Sequence, residues 1–205
     1  MGTSGGEGST QCACSVTSVN SSRVSSIVAL VACAASFVMM LAACSAPETA
    51  SAASTCPTAV PDNAVEPDWT LSGSTGSVAV TGSTDTTAPQ VKVDAPFSVA
   101  QTQVDTLRAG DGPVVAPTAT VSVCYMGVNG RDGSVFDSSY SRGAPAQFPL
   151  GGVVAGFQKA IAGQTVGSTV AVAMTSADGY PDGQPSAGIQ KGDTLIFAIK
   201  ILGAS

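Results

Sequence analysis

Alternation of apolar and polar residues predicts short β-strands along most of the second half of the chain. Val121, Val123 and Tyr125 fall on one face of the segment 118–125, and Cys124 falls on the other. Successive side chains of a strand point to opposite faces of a sheet, so this spacing predicts a strand with one apolar face. The same period of two recurs in four further segments, at 78–80, 91–93, 168–175 and 194–202.

A different spacing in the segment 152–163 predicts a helix. Val153, Phe157 and Ile161 are four residues apart and share one helical face, and Gly163 is suited to end the helix. Several strands and a single helical segment predict an α+β fold, a twisted antiparallel β-sheet wrapped around one short α-helix.

Composition divides the chain into four parts: a signal segment at 1–43, a flexible tether at 45–66, an N-terminal β extension at 67–100 and the main domain at 101–205. The tether is rich in Ala, Ser, Thr and Pro, and it has too little apolar surface to offset the entropy cost of ordering. The extension is expected to add strands or a wrapping arm to the main sheet.

The signal segment contains a run of apolar and small residues at 27–43, preceded by Arg23. This layout is typical of a secretory signal. The run ends in Leu41-Ala42-Ala43-Cys44, which resembles the bacterial lipobox. The resemblance implies that Cys44 is lipidated and that the protein is anchored to the cell membrane on its extracytoplasmic face. The alternative is an uncleaved signal anchor with an unmodified Cys44.

Cys56 and Cys124 are the two cysteines that remain once the signal is removed and Cys44 is lipidated. In an oxidising compartment two such cysteines often form a disulfide. The alternative is that Cys56 is free and Cys124 is buried as a small apolar residue. Both alternatives stay open at this point.

The charge balance and the absence of histidine exclude several classes of function. The chain has 14 acidic and 8 basic residues, a net charge of −6, and no histidine. A nucleic-acid-binding surface would need a basic face, so no nucleic-acid partner is expected. Histidine-based acid–base catalysis and histidine-ligated metal sites are impossible, and we expect neither a metal nor a cofactor.

One segment, 135–157, places an acid and a base among apolar residues, which is typical of an apolar pocket with a small polar rim. Its strings FDSSYSRG, FPLG and VVAGF begin at 136, 148 and 153, and GYP follows at 179–181. In order and spacing these motifs resemble the FK506-binding-protein (FKBP) type peptidyl-prolyl cis–trans isomerases, over about residues 102–202.

The resemblance implies a catalytic set and a substrate-binding set. The catalytic set is Asp137, Tyr180 and Phe157, and the substrate-binding set is Tyr125, Phe136, Arg142, Val153, Val154, Ile189 and Phe197. Phe157 would form the pocket floor, where the family usually has tryptophan. Asp137 would lie at the rim, held by Arg142. The Tyr180 hydroxyl and the Ile189 backbone amide would bind the substrate chain.

The implied activity is noncovalent rotation about X-Pro peptide bonds in exported proteins, with proline held in the aromatic pocket. Such rotation needs no nucleophile and no proton acceptor, so a chain without histidine can perform it. The implied partners are proline-containing polypeptides and macrolides such as FK506 or rapamycin, and we expect a monomer. The alternative hypothesis is a binding or chaperone module with this fold and little or no isomerase activity. Ala146 and Pro181 depart from common family residues at the pocket wall and in the loop.

Overall fold

The computed structural model describes residues 55–62 and 64–205. The predicted signal segment, the lipidation site Cys44 and the first part of the predicted tether lie outside the described residues. None of the helices in the described part is long and apolar enough to cross a membrane.

In the described part of the chain, nine strands form two antiparallel sheets. The smaller sheet consists of β1 (Trp69–Ser72), β2 (Thr75–Thr81) and β3 (Gln90–Ser98) in that order. The larger sheet has the order β4-β8-β9-β5-β6, and β7 also pairs with β5. Its strands are β4 (Gln103–Arg108), β5 (Thr120–Asn129), β6 (Val135–Ser138), β7 (Ala146–Pro149), β8 (Thr169–Met174) and β9 (Leu195–Ala204).

One face of the larger sheet, which we call the helix face, is covered by the helix α2 (Ala155–Ile161). Phe157 and Ile161 of this helix are buried in one cluster with Val121 and Val172 of the sheet. The odd-numbered residues of β5 point toward the helix, as the alternation predicted. The predicted α+β fold, an antiparallel sheet around a short helix, is confirmed.

The helix is shorter than predicted at both ends. Leu150–Gly152 form a 3-10 turn, and Val153 and Val154 are extended, with φ of −97° and −60°. Ala162, after the last helical residue, is also extended, and Gly163 follows with a φ of +83°. Val153 therefore has the helical spacing in the sequence, but it lies just outside the helix.

A second, one-turn helix was missed by the sequence analysis. This helix, α1, spans Ser139–Arg142; the Ser138 side chain caps it by accepting from Ser141 N, and Gly143 ends it with a φ of +67°. Four residues are too few for a helical period to appear in a sequence. A second 3-10 turn, Pro185–Ala187, lies in the loop between β8 and β9.

The opposite face of the larger sheet, the back face, is covered by the smaller sheet. Val78, Val80 and Phe97 of the smaller sheet pack in one cluster with Ile196 and Ala198 of the larger. Of the two forms expected for residues 67–100, added strands in the main sheet are wrong, because among the described strands these residues pair only with one another. Burial of their own apolar face, rather than strand pairing, attaches them to the domain.

The predicted tether also needs correction, because residues 55–62 are bound to the domain. Cys56 forms a disulfide with Cys124, and the backbone N–H of Cys56 donates to the carbonyl of Gly143 at 3.2 Å. Ala88 N–H donates to the carbonyl of Ala59 at 2.7 Å. A covalent bond and backbone hydrogen bonds order this segment although its composition is poor in apolar residues. Of the two alternatives for the cysteines, the structure has the disulfide.

Candidate active site

A cavity of about 390 Å³ opens on the helix face, beside the N-terminal end of α2. It brings together eight of the ten residues that the sequence predicted for the site, all but Arg142 and Ile189. These eight are Tyr125, Phe136, Asp137, Val153, Val154, Phe157, Tyr180 and Phe197. Strands β5, β6 and β9, the helix and the loop after β8 all contribute, so the site depends on the tertiary fold.

The aromatic rings of the cavity meet edge to face. The Phe157 ring lies nearly perpendicular to the rings of Tyr125, Phe148 and Phe197, with centroid distances of 5.9, 6.0 and 5.4 Å. Phe136 meets Phe197 in the same way at 5.5 Å. Such contacts favour one arrangement of the rings beyond the simple burial of their area. They give the cavity an apolar floor of defined shape.

A polar triad of Tyr125, Asp137 and Arg142 forms one corner of the rim. The Tyr125 hydroxyl donates to the Asp137 carboxylate, and Arg142 Nη1 donates to Asp137 Oδ1 at 2.6 Å. Arg142 Nη2 also donates to the Tyr125 hydroxyl at 3.2 Å. Arg142 does not line the cavity itself. It acts from outside by holding two residues that do.

The triad has a defined protonation state at neutral pH. Burial alone would raise the pKa of Asp137, but hydrogen bonds from Tyr125 and Arg142 outweigh it and hold the pKa below its usual value. Burial and the hydrogen bond to Asp137 raise the pKa of Tyr125. The carboxyl is therefore ionised and the phenol keeps its proton. The charge of Asp137 is balanced by Arg142.

Backbone geometry positions this corner. Gly127 pairs with Asp137 across β5 and β6, and a Cβ at Gly127 would lie 2.6 Å from the Phe136 ring and 2.8 Å from the Phe197 ring. A side chain there would displace two walls of the cavity. The backbone N–H of Tyr125 donates to Ser139 Oγ at 2.8 Å, which joins β5 to the start of α1. Sequence reasoning missed Gly127, since only the pairing shows its role.

Ile189 lies outside the cavity, which differs from the prediction. Its side chain is buried in the core cluster, and its backbone N–H donates to the Gln184 carbonyl at 3.1 Å within the loop. The predicted contact of this amide with a substrate is therefore not available. The backbone N–H of Val154 is different, because the hydrogen bonds found among residues 64–205 include none that it donates. Val154 lines the cavity.

Phe148 and Gly152 line the cavity although neither was predicted as a site residue. Phe148 pairs with Val121 across β7 and β5, and its ring lies 5.9 Å from that of Tyr125. The FPLG string was the signal that could have identified Phe148. Ala146, two residues earlier on the same strand, is partly buried against the core cluster.

Comparisons with known proteins identify similar sequences. The family model described as FKBP-type peptidyl-prolyl cis-trans isomerase matches residues 112–202. A probable FK506-binding protein of Corynebacterium glutamicum is 33% identical over 57% of this chain and 98% of its own length. An FK506-binding protein of Streptomyces anulatus is 38% identical over 45% of this chain and 77% of its own length.

The solved structures that are similar to this chain include a peptidyl-prolyl cis-trans isomerase from Pseudomonas syringae. It is 27% identical, with a TM-score of 0.46, over 51% of this chain and 75% of that one.

The chain belongs to the family of FKBP-type peptidyl-prolyl cis–trans isomerases, as the Corynebacterium and Streptomyces relatives show. The predicted family and enzyme class are confirmed. The family match begins at residue 112, so the smaller sheet and β4 lie outside it.

Proposed function

We propose that the cavity binds the proline ring of a polypeptide substrate and that isomerisation of the X-Pro bond occurs there. The observation that carries this proposal is an apolar cavity with four phenylalanine rings and a single polar corner. Its volume of about 390 Å³ lies in the range of about 300–1,000 Å³ that is common for small-ligand sites. Proline is apolar and compact, and its flanking carbonyl groups can reach the rim.

Catalysis at this site would be noncovalent. The planar amide resists rotation with a barrier of about 18–20 kcal/mol because resonance gives its C–N bond partial double-bond character. Water stabilises the planar, dipolar form by hydrogen bonds to the carbonyl, and the cavity would replace that water with aromatic rings. Rotation is favoured if the site binds the twisted amide better than the planar one.

Two groups are suited to bind the substrate chain on either side of the proline. The Tyr180 hydroxyl can donate to a substrate carbonyl, as predicted. The free N–H of Val154 takes the role that the sequence analysis gave to Ile189. Asp137 and Tyr125 supply the polar corner, and Arg142 is a positioning residue because it contacts both of them.

We also propose that the protein is exported and anchored to the outer face of the cell membrane through a lipid on Cys44. The lipobox-like string before Cys44 supports this. The disulfide between Cys56 and Cys124 adds support, since disulfides persist mainly in oxidising compartments outside the cytoplasm. Metabolic labelling with a palmitate analogue should label the full chain but not its Cys44→Ala variant. Equal labelling of the two would contradict the anchor.

The substrates would then be exported proteins whose prolyl bonds isomerise after translocation. Uncatalysed isomerisation takes tens to hundreds of seconds, which is slow enough to limit folding. The names of the two FK506-binding relatives also support binding of FK506-type macrolides by this chain. We propose that such macrolides compete with proline for the same cavity.

A protease-coupled isomerase assay on a short X-Pro peptide tests the assignment of the cavity. We expect Asp137→Ala in the full chain to lower kcat/KM by about tenfold, because Tyr125 and Arg142 lose their common partner. Asp132→Ala is the matched control, since it removes a carboxylate from the turn between β5 and β6, away from the cavity. Equal activity of both variants would contradict the assignment. A folded wild-type chain with no acceleration would favour the binding or chaperone module instead.

A further inference from the structure

A second polar cluster lies at the base of the loop that carries Tyr180. Lys159 Nζ donates to both carboxylate oxygens of Asp178, at 2.8 and 2.7 Å. The hydroxyl of Thr102 donates to Asp178 Oδ2 at 2.5 Å, and it accepts from the backbone N–H of Thr175 at 3.2 Å. One carboxylate therefore has partners from two other segments of the chain.

The three side chains come from different parts of the chain. Thr102 is the last residue of the link between β3 and β4, so it joins the smaller sheet to the larger. Lys159 lies on α2, two residues after the cavity floor residue Phe157. Asp178 precedes Tyr180 by two residues, and its backbone carbonyl accepts from Gly156 N–H at 2.8 Å. The loop is thus attached to the helix at Gly156 and Lys159, on either side of Phe157.

We infer that Asp178 is a positioning residue of the isomerase, which holds the Tyr180 hydroxyl over the cavity floor by binding Lys159 and Thr102. The inference rests on the proposed function, in which Tyr180 binds a substrate carbonyl. It adds a residue outside the cavity lining, and it extends the enzyme's functional parts to Thr102. That residue lies before the matched family region, which starts at 112.

The contacts of Asp178 indicate that its carboxylate acts through its charge and hydrogen bonds rather than through packing. Hydrogen bonds in which at least one partner is charged are shorter and stronger than neutral ones, and the contacts of Asp178 with Lys159 and Thr102 are of this kind. The side chain is 22% exposed and that of Lys159 is 57% exposed, so the pair adds little stability in water. Its effect is therefore expected on the geometry of the loop more than on the stability of the fold.

The test is a double-mutant cycle in the full chain, read out as kcat/KM on an X-Pro peptide. Asp178→Asn keeps the shape of the side chain and removes its charge, and we expect kcat/KM to fall about fivefold. When Tyr180→Phe has already removed the hydroxyl, the same substitution should cost little more, because the group that it positions is gone. A residue with a merely structural role would lower activity equally in both backgrounds.

Two further variants sharpen the cycle. Asp182→Asn is the matched control, because it makes the same change in the same loop. The Asp182 side chain is 94% exposed, and its contact with Lys191 Nζ is long, at 3.9 Å. The activity of this variant should equal that of the wild type. Thr102→Val removes one hydroxyl without changing the shape of the side chain. Its fall in kcat/KM should also disappear in the Tyr180→Phe background, and this test remains if Asp178→Asn folds poorly.

Three results would overturn the inference. The first is full activity of both Asp178→Asn and Thr102→Val, and the second is losses that multiply with that of Tyr180→Phe. The third is full activity of Tyr180→Phe. That last result leaves the cavity assignment intact, since Asp137→Ala tests the cavity without involving Tyr180. The two proposals can therefore fail separately.

Discussion

The two faces of the larger sheet are formed by the same strands but are covered differently. On the helix face, aromatic rings surround an open cavity beside α2. On the back face, the smaller sheet seals the surface, and Val80 and Ile196 are fully buried. The difference shows how alternating strands can serve stability on one side and binding on the other.

Two features explain the difference: the size of the side chains on each face, and the length of the element that covers it. The back-face residues of β8 and β9 include Ala171, Ala173 and Ala198, which are small enough for a second sheet to pack closely. The helix-face residues are larger, for example Met174 and Phe197. The helix α2 has seven residues and is therefore only about 10 Å long. It covers part of the face, and the rings beyond its N-terminal end line the cavity.

This comparison predicts that substitutions on the back face change stability and leave kcat/KM unchanged. Substitutions at the rim of the cavity should do the opposite. The predictions below are arranged by their expected effect on the free energy of unfolding, from the largest to the smallest.

Phe97→Ala should have the largest effect on stability. Its side chain is 2% exposed in the contact between the two sheets, and truncation of a buried phenylalanine costs about 3–5 kcal/mol. Urea denaturation of the full chain would measure the loss, with the exposed Lys92→Ala on the same strand as control. The isomerase activity of the folded fraction should stay at the wild-type level. A large fall in kcat/KM would show that the faces are not independent.

Removal of the disulfide should have the next largest effect. Cys56 and Cys124 are 68 residues apart in the chain, and a bond that closes such a loop stabilises by about 2–4 kcal/mol. The double variant Cys56→Ala/Cys124→Ala should unfold at lower urea concentration and keep its kcat/KM. Unchanged stability would contradict the ordering of residues 55–62 by this bond.

Alkaline pH should lower the free energy of unfolding by ionising Tyr140, which is buried on the back-face side. Burial raises the pKa of Tyr140 to about 12, against the lowering effect of its hydrogen bond with Ser83. An unfolded tyrosine titrates near pH 10, so this contribution is fully present below pH 10 and is lost as the pH rises to 12. The loss should amount to about 2–3 kcal/mol. In Tyr140→Phe the fall in stability over this window should be smaller by that amount; an identical fall in both would contradict the assignment.

The alternation of strand residues allowed the fold and most of the cavity to be predicted. Val121, Val123 and Tyr125 face the helix as their spacing indicated. The separate smaller sheet was not predictable, because apolar alternation in β2 does not say whether the strand pairs with a sheet or packs on it. The order of residues 55–62 depends on a disulfide partner that is distant in the sequence.

The site could be predicted less completely, for reasons of tertiary geometry. The motifs identified Asp137 and Phe157, but whether Ile189 reaches the cavity depends on a turn in which its N–H binds Gln184. Gly127 matters only because two rings of neighbouring strands lie against it. Contacts of this kind leave no periodic signal in the sequence.

Arg142→Gln should have the smallest effect on stability. The Arg142 and Asp137 side chains are 52% and 41% exposed, and an exposed ion pair contributes at most about 1 kcal/mol. The activity should nevertheless fall, because Asp137 and Tyr125 lose the group that holds them. Without Arg142 the pKa of Asp137 should also rise. The isomerase assay and urea denaturation together check this, and a variant that is less stable but fully active would contradict a positioning role.

The most direct test of the central claim is to map where a proline-containing peptide binds. The isotope-labelled full chain would be titrated with a short peptide that contains one X-Pro bond, and amide and ring signals would be followed by NMR. We expect the largest shifts at the Val154 amide and the Phe157 and Phe197 rings, with back-face signals such as Ala171 unchanged. Shifts confined to the back face, or none at these cavity residues while the peptide is being isomerised, would contradict the account.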